Sequence, residues 1–352
     1  MLDPRRAEQE LDALWSHPAG HCRVHAAGGG ATGVTGRVEA GDRRYFLKWL
    51  PDGDALDAEA DGLRHLAPAI RVPAVVHRGP LAGGQALILE WLDTRPLGGR
   101  QWETLGAHLR RLHDTTAERF GHHRDNWIGA NRQDNTPTDH WADFFVERRL
   151  APQLRQARDR GLPPRAVQAV EAVMARVPNW LAGLDIRPAL VHGDLWQGNL
   201  AALADGTPVI YDPAVHYGHG ETDLAMLGLF GAVPDALYHA YGQDPHDRDF
   251  QHRTRLYNLY HLLKEPLNTA LRTQRGLKCT AVVSCLDGQG GALSKRQGAA
   301  AVHFRPRPAG LTGWPTLIVP LFRQATSLPS KGRLDCEPAC KPEYARRYSE
   351  AP

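Results

Sequence analysis

At 352 residues the chain is long enough for two lobes, each with an apolar core of its own. Apolar residues make up 42% and charged residues 23%, an ordinary globular balance, and no apolar run approaches the roughly 20 residues that a membrane-spanning helix needs. The formal net charge of +3 implies no obligatory nucleic-acid partner, but it is unevenly spread: residues 265–352 carry a net +7 and residues 1–264 a net −4.

The N-terminal text MLDPRRAEQELDALW is charged and amphipathic and lacks the uninterrupted apolar centre of a signal peptide, which predicts a cytoplasmic protein. Of the five cysteines only Cys22 precedes residue 265, so no disulfide framework is expected in the body of the chain. Leu11, Leu14 and Trp15 give the first segment one apolar face, as for a short helix. HAAGGGATGVTGRV, residues 25–38, is dense in glycine. Backbone N–H groups at Gly29 and Gly30 are able there to approach phosphate oxygens, and the strand-like GRVEAGDRRYFLKWL makes a nucleotide-covering hairpin.

Lys48 lies in the strand RYFLKWL, alternating with Phe46 on one face, and Glu59 in the helix-like DALDAEADGLRHL is its natural acidic partner. Such a pair holds the α- and β-phosphates of a nucleotide. Residues 71–79 and 85–93 read as strands, the second ending at Glu90-Trp91-Leu92. In a kinase-like fold that end is the hinge, whose main chain meets the adenine edge. Trp102, Leu105, Leu109 and Leu112 then recur at helical spacing, and the boundary between lobes is placed near residues 93–99. His122 and His123 are adjacent, so they do not share a helix face, and spacing places no third ligand beside them; no metal is expected there. Trp141, Phe144, Phe145 and Leu150 form a helical apolar face, and a further helix covers about Arg165–Leu184.

The most informative text is ALVHGDLWQGNLAALADGTPVIYDPA, residues 189–214. HGDLWQGN fits a phosphoryl-transfer loop in which Asp194 accepts the proton of an acceptor hydroxyl and Asn199 holds a magnesium ion. Gly193 stands where protein kinases usually carry arginine. Pro208–Tyr211 reads as a strand that delivers Asp212 to an Asp-Pro turn as the main magnesium ligand. Ala189–Val191 and Pro208–Tyr211 flank a turn at residues 204–206 and are expected to lie side by side. Beyond them Thr222 or Asp223 caps a helix starting at Leu224, with Asp223 bracing the loop, and residues 249–264 form a last helix with Leu256, Leu259, Tyr260 and Leu263 inward.

FLK with Lys48, AEADGL, LEWL, FGHHRDNWIG, WADFFVERRL, HGDLWQGN, DPAVHYGHGETDLAML and RLYNLYHLL together resemble the fructosamine kinase (ketosamine 3-kinase) family, within the broad protein-kinase-like and aminoglycoside-phosphotransferase-like group. The resemblance runs from about residue 10 to residue 263. It implies an α+β, two-lobed protein-kinase-like fold: a small β-rich N-lobe, residues 1–93, and a larger, mostly helical C-lobe, residues 94–264. It further implies ATP- and magnesium-dependent phosphorylation of the sugar 3-hydroxyl of ketosamines, free or protein-bound, with release of the free amine. Asp194 would be the base, Asn199 and Asp212 the magnesium ligands, and Lys48 with Glu59 the phosphate-positioning pair. Gly29, Gly30, Glu90 and Leu92 would surround the nucleotide, and Trp196 would contact the sugar. Aminoglycoside- or choline-type kinases would use the same aspartates, and an inactive nucleotide-binding scaffold is the alternative of another class.

The glycine loop departs from the family in lacking a Ser or Cys followed by Ile. After residue 264 the text departs altogether. Charge, cysteine and histidine usage change together there, only His303 of the 18 histidines lies beyond it, and residues 265–352 read as a poorly ordered tail from a shifted frame or a fusion. Within it, CEPAC (Cys336, Cys340) is half of a zinc pattern with no second half.

Overall fold

The computed structural model describes residues 2–30 and 33–264. The tip of the glycine turn, Ala31 and Thr32, and the whole of the tail lie outside them, so the expectations for residues 265–352, including the CEPAC pair, fall outside the described residues as well.

The first helix, α1 (Pro4–Leu14), is capped by Asp3, whose carboxylate accepts the N–H groups of Arg5 and Arg6 at 3.1 and 3.3 Å. Leu11 is buried and Trp15 packs partly inward, but Leu14 is 48% exposed. β1 (Cys22–Gly30), β2 (Gly33–Ala40), β3 (Arg43–Leu50), β4 (Val75–Leu81) and β5 (Gly84–Glu90) form one antiparallel sheet in the order β1-β2-β3-β5-β4. Alternation along β2 and β3 sends Val38, Leu47 and Trp49 into a core shared with Leu11 of α1 and with Ala86 and Ile88 of β5. α2 (Asp54–Leu66) packs on the other face.

Past β6 (Thr94–Arg95) the chain turns helical: α3 (Gln101–His113), then the β7 (Asn126–Ile128) and β8 (Asn131–Gln133) hairpin, and α4 (Trp141–Phe144). α4 runs through a π-helical turn at Phe145–Leu150 into α5 (Ala151–Asp159). α6 (Pro164–Leu181) ends three residues before the expected Leu184. Trp141, Phe144, Phe145, Leu150, Val170 and Leu256 share one core with this group.

The central text folds differently from the expected pairing. β9 (Ala189–Val191) does not lie beside β11 (Pro208–Ile210); it pairs with β12 (His216–Gly218). β11 pairs with β10 (Leu200–Leu203), a strand hidden in the text LAAL, around the turn at residues 204–206. The HGDLWQGN loop thus leaves β9 and enters β10, and the Asp-Pro turn leaves β11 and enters β12, so loop and turn lie at the same ends of two small strand pairs. α7 (Glu221–Leu227) starts at Glu221, three residues earlier than expected, and Asp223 lies inside it. α8 (Asp235–Tyr241) crosses α3 at Gly106, where an added Cβ would meet the Leu237 carbonyl oxygen at 2.2 Å. α9 (Arg248–Lys264) closes the described chain and buries Leu256, Leu259, Tyr260 and Leu263 as expected. The result is an α+β fold with a small antiparallel β-rich part followed by a larger helical part. One apolar cluster joins them: Leu63 and Leu66 of α2 and Leu87 and Leu89 of β5 meet Leu105 and Leu109 of α3 and Ile210 of β11.

Candidate active site

Asp194 sits where it does because of the residue before it. Gly193 adopts φ +82°, and a Cβ there would meet the Ala214 carbonyl oxygen at 2.1 Å. The loop therefore touches the backbone of the Asp-Pro segment, and an arginine at this position is sterically excluded. Two main-chain N–H groups of the loop, His192 at 2.7 Å and Gly193 at 2.9 Å, donate to the two carboxylate oxygens of Asp223, which is 1% exposed. His113, at the end of α3, meets the same carboxylate at 3.2 Å. Burial pulls the Asp223 carboxyl upward, but the His113 hydrogen bond and charge, His192 and the Gly193 N–H together hold it below the usual aspartate range. Asp223 is thus the brace that its position in the sequence suggested.

His192 ties the two ends together. Its Nδ1 accepts the Asp194 N–H at 3.2 Å, so Nε2 carries the proton and donates to the Tyr211 carbonyl at 3.0 Å, directly before Asp212. Burial keeps this imidazole neutral by lowering its pKa. Asn199 completes the frame: its Nδ2 donates to the Asp194 carbonyl at 2.9 Å and its own carbonyl accepts the Tyr211 N–H at 3.1 Å. The amide oxygen of Asn199 is left for another partner. Asp212 has φ +59°, unusual for a residue other than glycine, and its carboxylate meets Lys48. Lys48 also donates to Glu59 at 2.7 Å. One ammonium thus links β3, α2 and the Asp-Pro turn. Burial pushes the Glu59 carboxyl upward, opposed by Lys48 and reinforced by Asp212.

One oxygen of the Asp194 carboxylate is shielded from solvent. This Oδ1 is buried and among the described residues accepts no hydrogen bond; the Lys264 ammonium pairs with it at 3.7 Å. Burial holds this carboxyl above the ordinary aspartate range, against the pull of Lys264 and His192. Lys264 was missed in the sequence because it lies 70 residues downstream at the last turn of α9, and a helix-terminal lysine has no local signature. Trp196 lies over Gly198, where an added Cβ would meet its ring at 2.2 Å, and it stands edge-on to Phe230 with ring centres 5.9 Å apart. Phe230 is 55% exposed, so the two rings form an aromatic lip beside the loop. Phe230 too escaped the sequence reading.

The remaining expected residues are further apart. The backbone of Gly29 and Gly30 belongs to β1, with Gly30 opposite Gly33 across the turn whose tip lies outside the described residues. Glu90 ends β5; its carboxylate is engaged by Arg71 at 2.5 Å and by the Ala74 N–H at 3.1 Å. Leu92 lies between β5 and β6, outside both strand ladders. The oxygen-only donor set of Asp212 and Asn199, beside a lysine, suits a magnesium ion carrying nucleotide phosphates; that ion would neutralise phosphate charge.

The family model for fructosamine kinase matches residues 7–268, about three quarters of the chain. The chain belongs to the fructosamine kinase family. Fructosamine kinases are phosphotransferases, and the chain is an enzyme of that class. A probable ketoamine kinase of Synechocystis, slr1563, is 44% identical over 231 residues, covering 63% of this chain and 77% of its own. The chloroplastic protein-ribulosamine 3-kinase of Arabidopsis thaliana is 33% identical over 252 residues, covering 68% and 76%. A crystal structure from Thermobifida fusca with a provisional fructosamine-3-kinase designation superposes with a TM-score of 0.64 at 36% identity, covering 74% of this chain and 93% of its own. Among the described residues no helix is long and apolar enough to cross a membrane.

Proposed function

We propose that this member of the fructosamine kinase family transfers the γ-phosphoryl group of ATP to the sugar 3-hydroxyl of ketosamines. Fructosamine and ribulosamine adducts, on small amines or on proteins, are its acceptors, and the phosphorylated adduct then releases the free amine. The observation that carries the reading is the buried Oδ1 of Asp194, which among the described residues accepts no hydrogen bond and has only the Lys264 ammonium 3.7 Å away, with its carboxyl raised by burial. Such an oxygen accepts a hydroxyl proton in a water-poor setting. In the step, the acceptor oxygen bonds to phosphorus, the bond between that phosphorus and the bridging oxygen of ADP breaks, and the hydroxyl proton passes to Asp194.

Lys48, oriented by Glu59, binds the α- and β-phosphates, and Asp212 with Asn199 holds the magnesium that accompanies them. The glycine turn with Gly29 and Gly30 covers the phosphates, and the main chain at Glu90 and Leu92 meets the adenine. Residues 1–93 would then act as the nucleotide-covering lobe and residues 94–264 as the lobe of proton acceptor and sugar. Trp196 offers a flat apolar face to the sugar, and Phe230 stands edge-on beside it. The names of the ketoamine and ribulosamine 3-kinase relatives support the choice of acceptor. The test is ATP consumption with ribulosamines, fructosamines, aminoglycosides and choline. ADP formation at least about tenfold above background with a ketosamine alone is expected; a preference for choline or an aminoglycoside would replace the reading.

A further inference from the structure

We propose that Asp61, His65, His122 and His123 form a binding site for one zinc-class divalent ion, fastening α2 to the loop that precedes β7. One ligand atom from each lies within 4.8 Å of the other three. Asp61 Oδ2 stands 3.0 Å from His122 Nε2 and 3.4 Å from His123 Nε2. With metal bonds of about 2.0–2.2 Å, neighbouring ligands of a tetrahedral ion are about 3.3–3.5 Å apart. Two edges of the tetrahedron are therefore nearly in place, and closing the set requires side-chain movements of about 1 Å. Three imidazoles and one carboxylate suit zinc and its transition-metal neighbours. They do not suit magnesium, which takes oxygen ligands, so this site is chemically distinct from the Asn199–Asp212 pair.

The sequence concealed the site because its halves are far apart. Asp61 and His65 are four residues apart on one face of α2. His122 and His123 are adjacent, which rules out a shared helix face, yet they lie on a loop and their ring centres are 4.2 Å apart. That loop is fixed on both sides. Gly121 exchanges two main-chain hydrogen bonds with Tyr217, at 2.9 and 2.8 Å, and the His122 N–H donates to the Asn135 carbonyl at 2.8 Å. Gly121 has φ +114°, and an added Cβ would meet the Asn135 carbonyl oxygen at 2.5 Å, so the close approach requires glycine.

The Nδ1 of His65 lies 2.9 Å from the Asp61 carbonyl, which only accepts, so Nδ1 carries the proton and Nε2 is the nitrogen left with a lone pair for a metal. Side-chain exposure rises from 2% at His122 through 17% at Asp61 and 33% at His65 to 58% at His123, giving an inner end and an entry from solvent. A hydrogen-bonded brace between α2 and the loop needs one histidine on one carboxylate oxygen. Here two histidines meet Asp61 Oδ2 and a third, His65, falls within the same 4.8 Å set, a convergence that suits a metal. Because Glu59 precedes Asp61 by two residues on α2, the ion would also steady the Glu59–Lys48 pair; that consequence, unlike the binding itself, rests on the kinase reading.

The test uses the full chain, purified without a histidine tag and stripped with EDTA. Cobalt(II) serves as the optical probe and zinc as its competitor, with elemental analysis for stoichiometry. One equivalent of cobalt should bind with the intense visible absorption of tetrahedral coordination, and zinc should displace it. His65→Ala and His123→Ala alter the exposed members and should each weaken binding at least about tenfold. Zinc at a hundredfold excess over the parent's Kd should raise the melting temperature of the parent by about 5 °C or more, and that of each histidine variant by no more than about half as much. Replacing Cys279, Cys285, Cys336 and Cys340 by serine should leave the tetrahedral spectrum unchanged. Absence of binding below about 100 µM overturns the proposal, as do equal affinities of the parent and both histidine variants, or loss of the spectrum in the cysteine variant. Turnover is read separately: failure of stripped and zinc-loaded protein alike to phosphorylate ketosamines would count against the kinase reading and not against the site.

Discussion

Asp194 combines two properties that a proton-accepting carboxylate needs, a fixed position and an oxygen that, among the described residues, accepts no hydrogen bond. Position comes from Gly193, His192 and Asn199, all main-chain or neutral contacts, so the carboxylate itself is spent on little of the scaffold. Asp194→Asn therefore preserves the frame and removes the basic oxygen. Turnover should fall by about 10²–10⁴-fold while nucleotide affinity stays within about twofold, measured by steady-state kinetics and by calorimetry with a nonhydrolysable ATP analogue. Undiminished turnover would remove Asp194 from the role. Lys48 shows the limit of reading single residues: its partner Glu59 was legible as the acidic residue of the next helix, whereas its contact with Asp212, across 164 positions, depends on tertiary closure.

Among the elements, α3, α7 and the Asp194 loop are joined by one buried polar brace. One buried carboxylate, Asp223, satisfies three donors from two segments. An asparagine there accepts through one oxygen only and would aim its amide N–H groups at another donor. Asp223→Asn should cost about 3 kcal/mol, or roughly 6–12 °C in melting temperature, and about a hundredfold in turnover through displacement of the loop. Because the folded carboxyl lies below its unfolded value of about 3.9, its stabilisation is complete above that value and is lost as pH falls through the folded pKa. The stability gap between parent and variant should be full at pH 7 and close below about pH 4; a gap that stays constant down to pH 3 would refute the charged brace.

The same elements show what sequence makes legible. An amphipathic helix such as α3 announces its buried face through spacing alone, whereas α9 is buried on more than one side, His252 and His261 included. Three-residue strands do not announce their partners: β9 and β11 were recognisable as apolar runs, but pairing partners are set by tertiary packing, and β10 was concealed in LAAL. The family signatures WADFFVERRL and FGHHRDNWIG were legible as text but not as structure. Arg149 proves to be a buried guanidinium that donates to Asp134 and Asn135 and sits over Phe144, while Asn126 donates to the Val215 carbonyl.

On the scale of the whole molecule, the two parts share apolar surface through α2, β5 and α3, and the described chain stops one turn past the buried Tyr260. Every candidate site residue precedes residue 265, and the family match ends at residue 268. A chain ending after residue 268 should therefore keep the turnover of the full chain within about twofold and melt within a few degrees of it. A melting temperature lower by about 10 °C or more would show that residues 269–352 stabilise the helical part. The break in composition at residue 264 was legible because charge, cysteine and histidine usage change together.

The central claim, phosphoryl transfer to the 3-hydroxyl of a ketosamine, is tested most directly by locating the phosphoryl group. The full chain is incubated with ATP, magnesium and a ribulosamine-bearing peptide, and the product is followed by phosphorus NMR and mass spectrometry. One phosphoryl group on the sugar O3, followed by loss of the sugar and return of the unmodified amine, is the predicted result. ADP formation that is the same with and without the adduct, or a phosphoryl group on another oxygen, would contradict it.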